Sequence, residues 1–320
     1  MDIEKRRLVK SGNTSFTLAL PIDWVRKHRL NRGSEILISE SETGDLLLFP
    51  EQKQTEKNTF YTLKIDGKDL EMISLELFQA YLHDYQTIAI EGKELQSKTS
   101  HILNELRSYI GIDVIEQTVN HISVKNFYQL DKETAPSILM KKMDRVNRSL
   151  FDLLKTFFLK GLTKEDLLEV SRLKDQNQRL FHLIRKSSLK ILENPSQIKQ
   201  VQTSLLQLSK DKTIALHLKN ISLVLYSIGK TFLILEHTKK DISKLQDFFM
   251  KIFMSYNSLL SAVHTKDYPS VMENVKEIQL RHAVFERFLH ESDDLLILEA
   301  SNNFVICNNL LEDIAREALE

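Results

Sequence analysis

The sequence predicts a multidomain α+β protein: a small β-rich N-terminal unit, a small α/β middle region and an all-helical C-terminal part. Two observations carry this. Seven of the eight glycines lie at or before Gly161, and beyond it only Gly229, Pro195 and Pro269 interrupt helix-permissive sequence. Apolar residues alternate in short runs near the N-terminus, mix with helical spacing in the middle, and recur every three or four residues to the end. At 320 residues the chain has room for two or three domains.

The first unit spans 1–52. In the segment RRLVKSGNTSFTLALPIDWVRKHRLNRGSEILIS a short basic strand enters the Ser11-Gly12-Asn13 turn. An alternating stretch then sets Phe16, Leu18 and Leu20 on one face and Thr17 and Ala19 on the other. Pro21 suits the opening of a short amphipathic helix carrying Trp24, Val25 and Leu30. Asn31 to Gly33 turn the chain into a strand over 35–39. So few large apolar side chains make a marginal fold, and pairing two copies is a remedy. It would bury Phe16, Leu18, Leu20, Ile36 and Leu37 and remove exposed strand edges.

Charge adds a function class. The whole chain is neutral, with 44 Lys and Arg against 44 Asp and Glu. Residues 1–34 carry eight basic side chains (Lys5, Arg6, Arg7, Lys10, Arg26, Lys27, Arg29, Arg32) and three acidic ones (Asp2, Glu4, Asp23), a local net of +5. A dimer doubles that patch, and Lys and Arg contacts to phosphate supply most non-specific DNA affinity. The candidate DNA-binding residues are Lys5, Arg6, Arg7, Lys10, Asn13, Arg26, Lys27 and Arg29.

The middle region, 58–128, reads strand (60–65), helix (70–82), strand (87–90), helix (98–110), then strands 113–117 and 121–124. That order suggests an open sheet with helices on one side. It contains no phosphate-binding glycine loop and no nucleophile motif. From 134 to 320 the expected helices are 135–160, 164–192, 196–208, 211–236, 241–263, 269–291 and 295–319. Thr163 with Asp166 and Asp241 supply start signals, and Gly161 a stop. Helices averaging over 20 residues with short links favour antiparallel bundles.

Other chemistry is sparse. The single cysteine, Cys307, excludes a disulfide framework and a cysteine-based zinc site, and reads as an inert packed thiol. The ten histidines form no HExxH or HxH pair, with His217, His237 and His264 scattered along helices. Ser, Asp and His form no local catalytic constellation, so an enzyme is not expected. The charged N-terminus lacks a signal-peptide core, and no run approaches ~20 uninterrupted apolar residues. A cytoplasmic protein with no membrane insertion is therefore the expectation.

The hairpin–helix–strand unit at 6–39 resembles the DNA-binding domain of the AbrB/MazE/SpoVT family, in which two units interlock their hairpins into one dimer. In that family bases are reached from near the hairpin turn and from the start of the helix, the places of Arg6 and Arg26 here. Asn13 and Val25 stand where many relatives carry arginine, and an Asn can still bond a base edge or a phosphate.

The order of parts along the whole chain resembles the archaeal PhoU-like phosphate uptake regulators. The segments LELFQAYLHDYQTIAIEG (75–92), RSYIGIDVIEQTVNHISV (107–124) and MKKMDRVNRSLFDLL (140–154) look like that family's middle region and helical entry. ALHLKNISLVLYSIGK (215–230) and ICNNLLEDIAREALE (306–320) look like two copies of its RxLERIGDHxxNIAE helix, in a domain of two three-helix bundles. In that family glutamate and aspartate four residues apart bind metal clusters. Here Lys219 and Leu223 replace one pair, and Val305 and Asn309 the other, while Asp175 and Glu286 remain on partner helices. A lysine and an apolar side chain do not hold a transition metal, so neither metal nor cofactor is expected.

The resemblance implies a homodimeric transcriptional regulator of phosphate uptake or a related nutrient response, with a possible protein partner at the helical domain. The alternative is a signalling adaptor that holds a transporter ATPase or kinase and uses the N-terminal unit only to dimerise. An antitoxin is disfavoured, because such proteins end in a short disordered tail.

Overall fold

A computed structural model of the chain describes residues 4–40, 44–50, 60–194, 197–235, 242–291 and 294–320. It separates into two compact units, Met1–Lys57 and Asn58–Glu320.

In the first unit β1 (Val9–Ser11) and β2 (Ser15–Thr17) form a hairpin. Helix α1 (Ile22–Lys27) follows, and β3 (Ile36–Glu40) pairs antiparallel with β4 (Leu46–Pro50). The sequence reading contained no β4, although Leu46 to Phe49 is an apolar run set off by Gly44. None of the described residues of this unit is buried.

The second unit begins with a four-stranded sheet in the order β5-β6-β8-β7: β5 (Phe60–Lys64), β6 (Thr87–Glu91), β7 (Ile112–Gln117) and β8 (His121–Asn126). Strands β5 and β6 are parallel and joined by α2 (Leu70–Leu82), as a parallel crossover requires. Helix α3 (Leu95–Arg107) leads to the antiparallel β7–β8 pair. The alternation of β5 and β8 decides the layer. Leu63, Ile88, Ile90, Ile122 and Val124 pack with Ile73, Leu77, Ile102 and Leu106 of the helices, while Thr62, Lys64, Glu91 and Lys125 face away. A bulge between Val114 and Glu116 leaves Ile115 exposed.

Where β8 ends, the chain returns to the entry of β7: Gly111, which holds φ of +87°, accepts at its carbonyl from the Phe127 amide at 2.7 Å. A Cβ there would lie 2.9 Å from that of Tyr128. Gly111→Ala therefore combines an unfavourable backbone region with a clash, and is expected to lose about 1–3 kcal/mol in urea unfolding. Wild-type stability in that variant would show that the loop can move away.

The described elements that follow are helices: α4 (Pro136–Lys155), α5 (Phe157–Lys160), α6 (Lys164–Glu193), α7 (Ile198–Val201), α8 (Leu205–Leu235), α9 (Ser243–Thr265), α10 (Tyr268–Glu291) and α11 (Leu295–Leu319). Helices α4, α6 and α8 pack on one another, as do α9, α10 and α11, with α8 against α11 and α4 against α9 joining the two sets. Buried amides pin the crossings. Asn147 donates to the Leu218 carbonyl at 2.9 Å and accepts from Asn177 at 2.7 Å; Asn308 donates to the Ile278 carbonyl at 3.1 Å. Among the described residues, α8 alone is long and apolar enough to cross a membrane, and half of its apolar window is buried against neighbouring helices.

Two boundaries correct the sequence reading. The helix expected over 135–160 breaks at Thr156, whose hydroxyl bonds back to the Leu153 carbonyl at 2.6 Å while its amide makes a tighter i→i−3 bond to the same group. The helices expected over 196–208 and 211–236 are instead the single turn α7 and the long α8. Gln202, left-handed at φ +53°, ends the first, and the Ser204 hydroxyl accepts from the Gln207 amide at 3.1 Å to open the second. The Ser-x-x-Gln spacing at 204–207 was a legible start signal. The expected helix start at Ser196, end at Glu236 and cap at Asp241 lie outside the described residues. Thr163 and Asp166 do form a capping box, and Gly161 closes α5 with φ of +81°.

Candidate nucleic-acid interface

The hairpin presents the first half of the basic patch. Lys10 pairs with Phe16 across the ladder, and Gly12, at φ +79°, begins the 12–14 loop that places Asn13 at the tip. The Thr17 hydroxyl ties back to the Val9 carbonyl at 3.2 Å, and Ser15 to that of Ser11. Lys5, Arg6, Arg7, Lys10 and Asn13 are all exposed. Of the eight candidate residues, only Arg6 has a side-chain partner among the described residues: Glu4, in an exposed pair that contributes little.

The second half lies on α1. Pro21 is the N-cap, so helical turns start one residue later than its N1 preference suggests. The Trp24 and His28 rings lie 4.9 Å apart, tilted by 49°, on the half-buried side, while Arg26 and Lys27 are exposed. Arg29, at φ +51°, ends the helix, with the Leu30 amide bonded to the Val25 carbonyl at 3.0 Å. No described side-chain contact joins the hairpin cations to those of α1 within one chain. Beside these cations run exposed apolar side chains: Leu8, Val9, Phe16, Leu18, Ile22, Leu37, Ile38 and Leu46. Phe16 is 64% exposed, an unusual position for a large aromatic in a strand.

The positions that the PhoU-like resemblance marks as ligands differ in burial among the described residues. Lys219 is half-buried, its amine 5.8 Å from the Phe181 ring, and burial followed by the nearby Arg185 charge lowers its pKa. Leu223 is 42% exposed, Val305 half-buried and Asn309 exposed. Asp175 is exposed and pairs with Lys174 at 2.9 Å; Glu286 lies in α10. Among the described residues, no three His, Cys, Asp or Glu side chains cluster where a metal could be held. Cys307 is fully buried, and burial pushes its thiol up to about 12.

No family model, curated protein or solved structure matches this chain.

Two polar centres had no signal in the sequence. Where the sheet layer meets α6, the fully buried Lys186 amine lies 3.1 Å from Asp84, over the rings of Tyr81 (4.3 Å) and Tyr128 (5.0 Å). Lys190 and Asn126 also hold Asp84, at 2.6 and 2.7 Å, and the Tyr128 hydroxyl meets that of Ser187 at 2.8 Å. Between α4 and α9, the buried Asp144 carboxylate accepts from Arg148 at 3.0 Å and from the Tyr256 hydroxyl at 2.9 Å, and lies 3.0 Å from His264 Nε2. Burial alone would raise the Asp144 carboxyl; the His264 and Tyr256 bonds and the Arg148 charge together bring it below its ordinary value. Both centres join residues far apart in sequence, so no local pattern marks them.

Proposed function

We propose that the protein is a homodimeric DNA-binding transcriptional regulator. One observation carries the reading: the N-terminal unit exposes its apolar strands and its clustered cations together, with no described residue buried. A second copy of the same hairpin, as in the AbrB/MazE/SpoVT arrangement, covers the first with like chemistry and joins the two positive patches. The helical region then acts as the regulatory part. By resemblance to the PhoU-like regulators, the controlled genes serve phosphate uptake or a related nutrient response.

The test is selection of genomic fragments by the purified full chain, followed by titration of recovered sequences at two salt concentrations. With six or more phosphate contacts per dimer, affinity is expected to fall by roughly 1000-fold between about 50 and 200 mM salt. Enrichment of defined promoters with that steep dependence supports the proposal. Absence of enrichment, with a dimer still present, would return the hairpin unit to the dimerisation role of the adaptor reading.

A further inference from the structure

A cavity of about 250 Å³ opens among the ends of α4, α8, α9 and α10. Asp211 lines it and is 1% exposed. Its Oδ1 accepts from Gln207 Nε2 at 2.8 Å, while its Oδ2 is buried with no partner. His264 also lines the cavity. Its Nε2 is engaged with Asp144 at 3.0 Å, and its buried Nδ1 has no partner. In the neutral ring with Nε2–H donating to that carboxylate, Nδ1 would carry the lone pair. The inner wall thus has two buried polar atoms with no partner just behind it, a costly state. The outer lining has the opposite character: Lys141 and Lys266 are exposed and Lys210 half-buried.

We propose that this cavity binds a small amino acid with an acidic side chain, its ammonium group seated on Asp211 and His264 and its carboxylates on Lys141, Lys210 and Lys266. The size fits: at ~30 Å³ per water the space holds several waters' worth of ligand, below the ~300 Å³ at which drug-sized sites begin. A simple anion such as phosphate meets the lysines but also the Asp211 carboxylate, and supplies no cation to it. Three lysines against one carboxylate favour a ligand of net negative charge. The site lies where both helical sets meet, so occupancy ties α4 and α8 to α9 and α10. The inference stands independently of the DNA-binding proposal.

Asp211 also predicts how the empty site behaves. Burial raises its carboxyl to about 6, against the smaller lowering influences of Gln207, Lys266, Lys141 and His264. A carboxyl raised in the fold opposes folding once it is ionised, and that opposition fades as pH falls toward the unfolded value of ~3.9. Asp211→Asn is therefore expected to melt higher than the parent at about pH 7, with the gap closing near pH 4. That behaviour separates loss of binding from loss of fold.

The experiment is calorimetric titration of the full chain with L-glutamate and L-aspartate, using glutarate and inorganic phosphate as comparators. Expected is a Kd of about 1 mM or tighter for at least one amino acid. Glutarate, which lacks the amine, should bind at least tenfold more weakly, and Asp211→Asn should lose about tenfold or more. Lys266→Gln should weaken binding several-fold without lowering the melting temperature. No heat with either amino acid, glutarate or phosphate binding as well as glutamate, or unchanged affinity in a folded Asp211→Asn would each overturn the proposal.

Discussion

With Arg6 and Arg26 both replaced by alanine, DNA affinity is expected to fall by at least about 100-fold while the dimer persists. An arginine that reads a base edge is worth about 1–3 kcal/mol, and a dimer loses four of them. Such losses combine less than additively within one interface, so about 100-fold is the cautious figure. Both side chains are exposed and, among the described residues, Arg6 meets only Glu4, so their removal takes nothing from the described core. Gel-shift titration on a selected promoter, with analytical ultracentrifugation of the same samples, reads both quantities. The salt slope should also flatten, by about one for each phosphate-contacting cation removed. Unchanged affinity with an intact dimer would mean that these cations are a solvated face.

The second large effect concerns stability. Asp84→Asn is expected to destabilise the second unit by about 2–4 kcal/mol, because it removes the carboxylate from the fully buried Lys186. Asparagine suits the test: Asp84 sits at φ +58°, a region Asn tolerates, so the substitution changes charge with little backbone strain. Lys186→Met should behave differently and stay within about 1 kcal/mol of the parent, since Asp84 keeps Lys190 and Asn126. Burial, against the raising influence of Asp84, brings Lys186 down to about 8. A lysine lowered in the fold opposes folding below that value and is relieved as pH rises toward the unfolded ~10.4. Methionine removes that opposition. Burial would raise the Asp84 carboxyl, but Lys186, Lys190 and Asn126 together lower it. Its contribution is therefore present above the unfolded value of ~3.9 and lost as pH falls through the folded one. Urea unfolding of both variants and of the double substitution decides the matter, and equal losses in the two single variants would contradict this asymmetry.

Legibility followed the range of the interaction. In the middle region the strand–helix alternation was readable at nearly every element, because β5 and β8 show a period of two around Leu63 and Val124, and β6 is a short apolar run ended by Gly92. Caps were readable where side chain and backbone are neighbours, as at Thr163 and Asp166. The helix start at Ser204 was equally local, yet the stronger apolar spacing on either side of it masked the signal. The exposed cations of the first unit were visible as composition; that its apolar strands lie bare in a single chain was an inference from size, and became an observation only with the fold.

The amino-acid sequence alone determined the α+β class, the concentration of positive charge before residue 34, and the change from alternating to helical periodicity. These follow from nearest-neighbour physics: dihedral preference, side-chain period and local charge. The tertiary structure decided what depends on distant partners. It set the strand order β5-β6-β8-β7, merged the chain from 205 to 235 into one helix, and brought Lys186 onto Asp84 and two tyrosine rings. It left Asp211 buried beside a basic cavity with one oxygen unmet. Desolvation is a property of the packed chain, and only packing can assign it to a particular lysine or carboxylate.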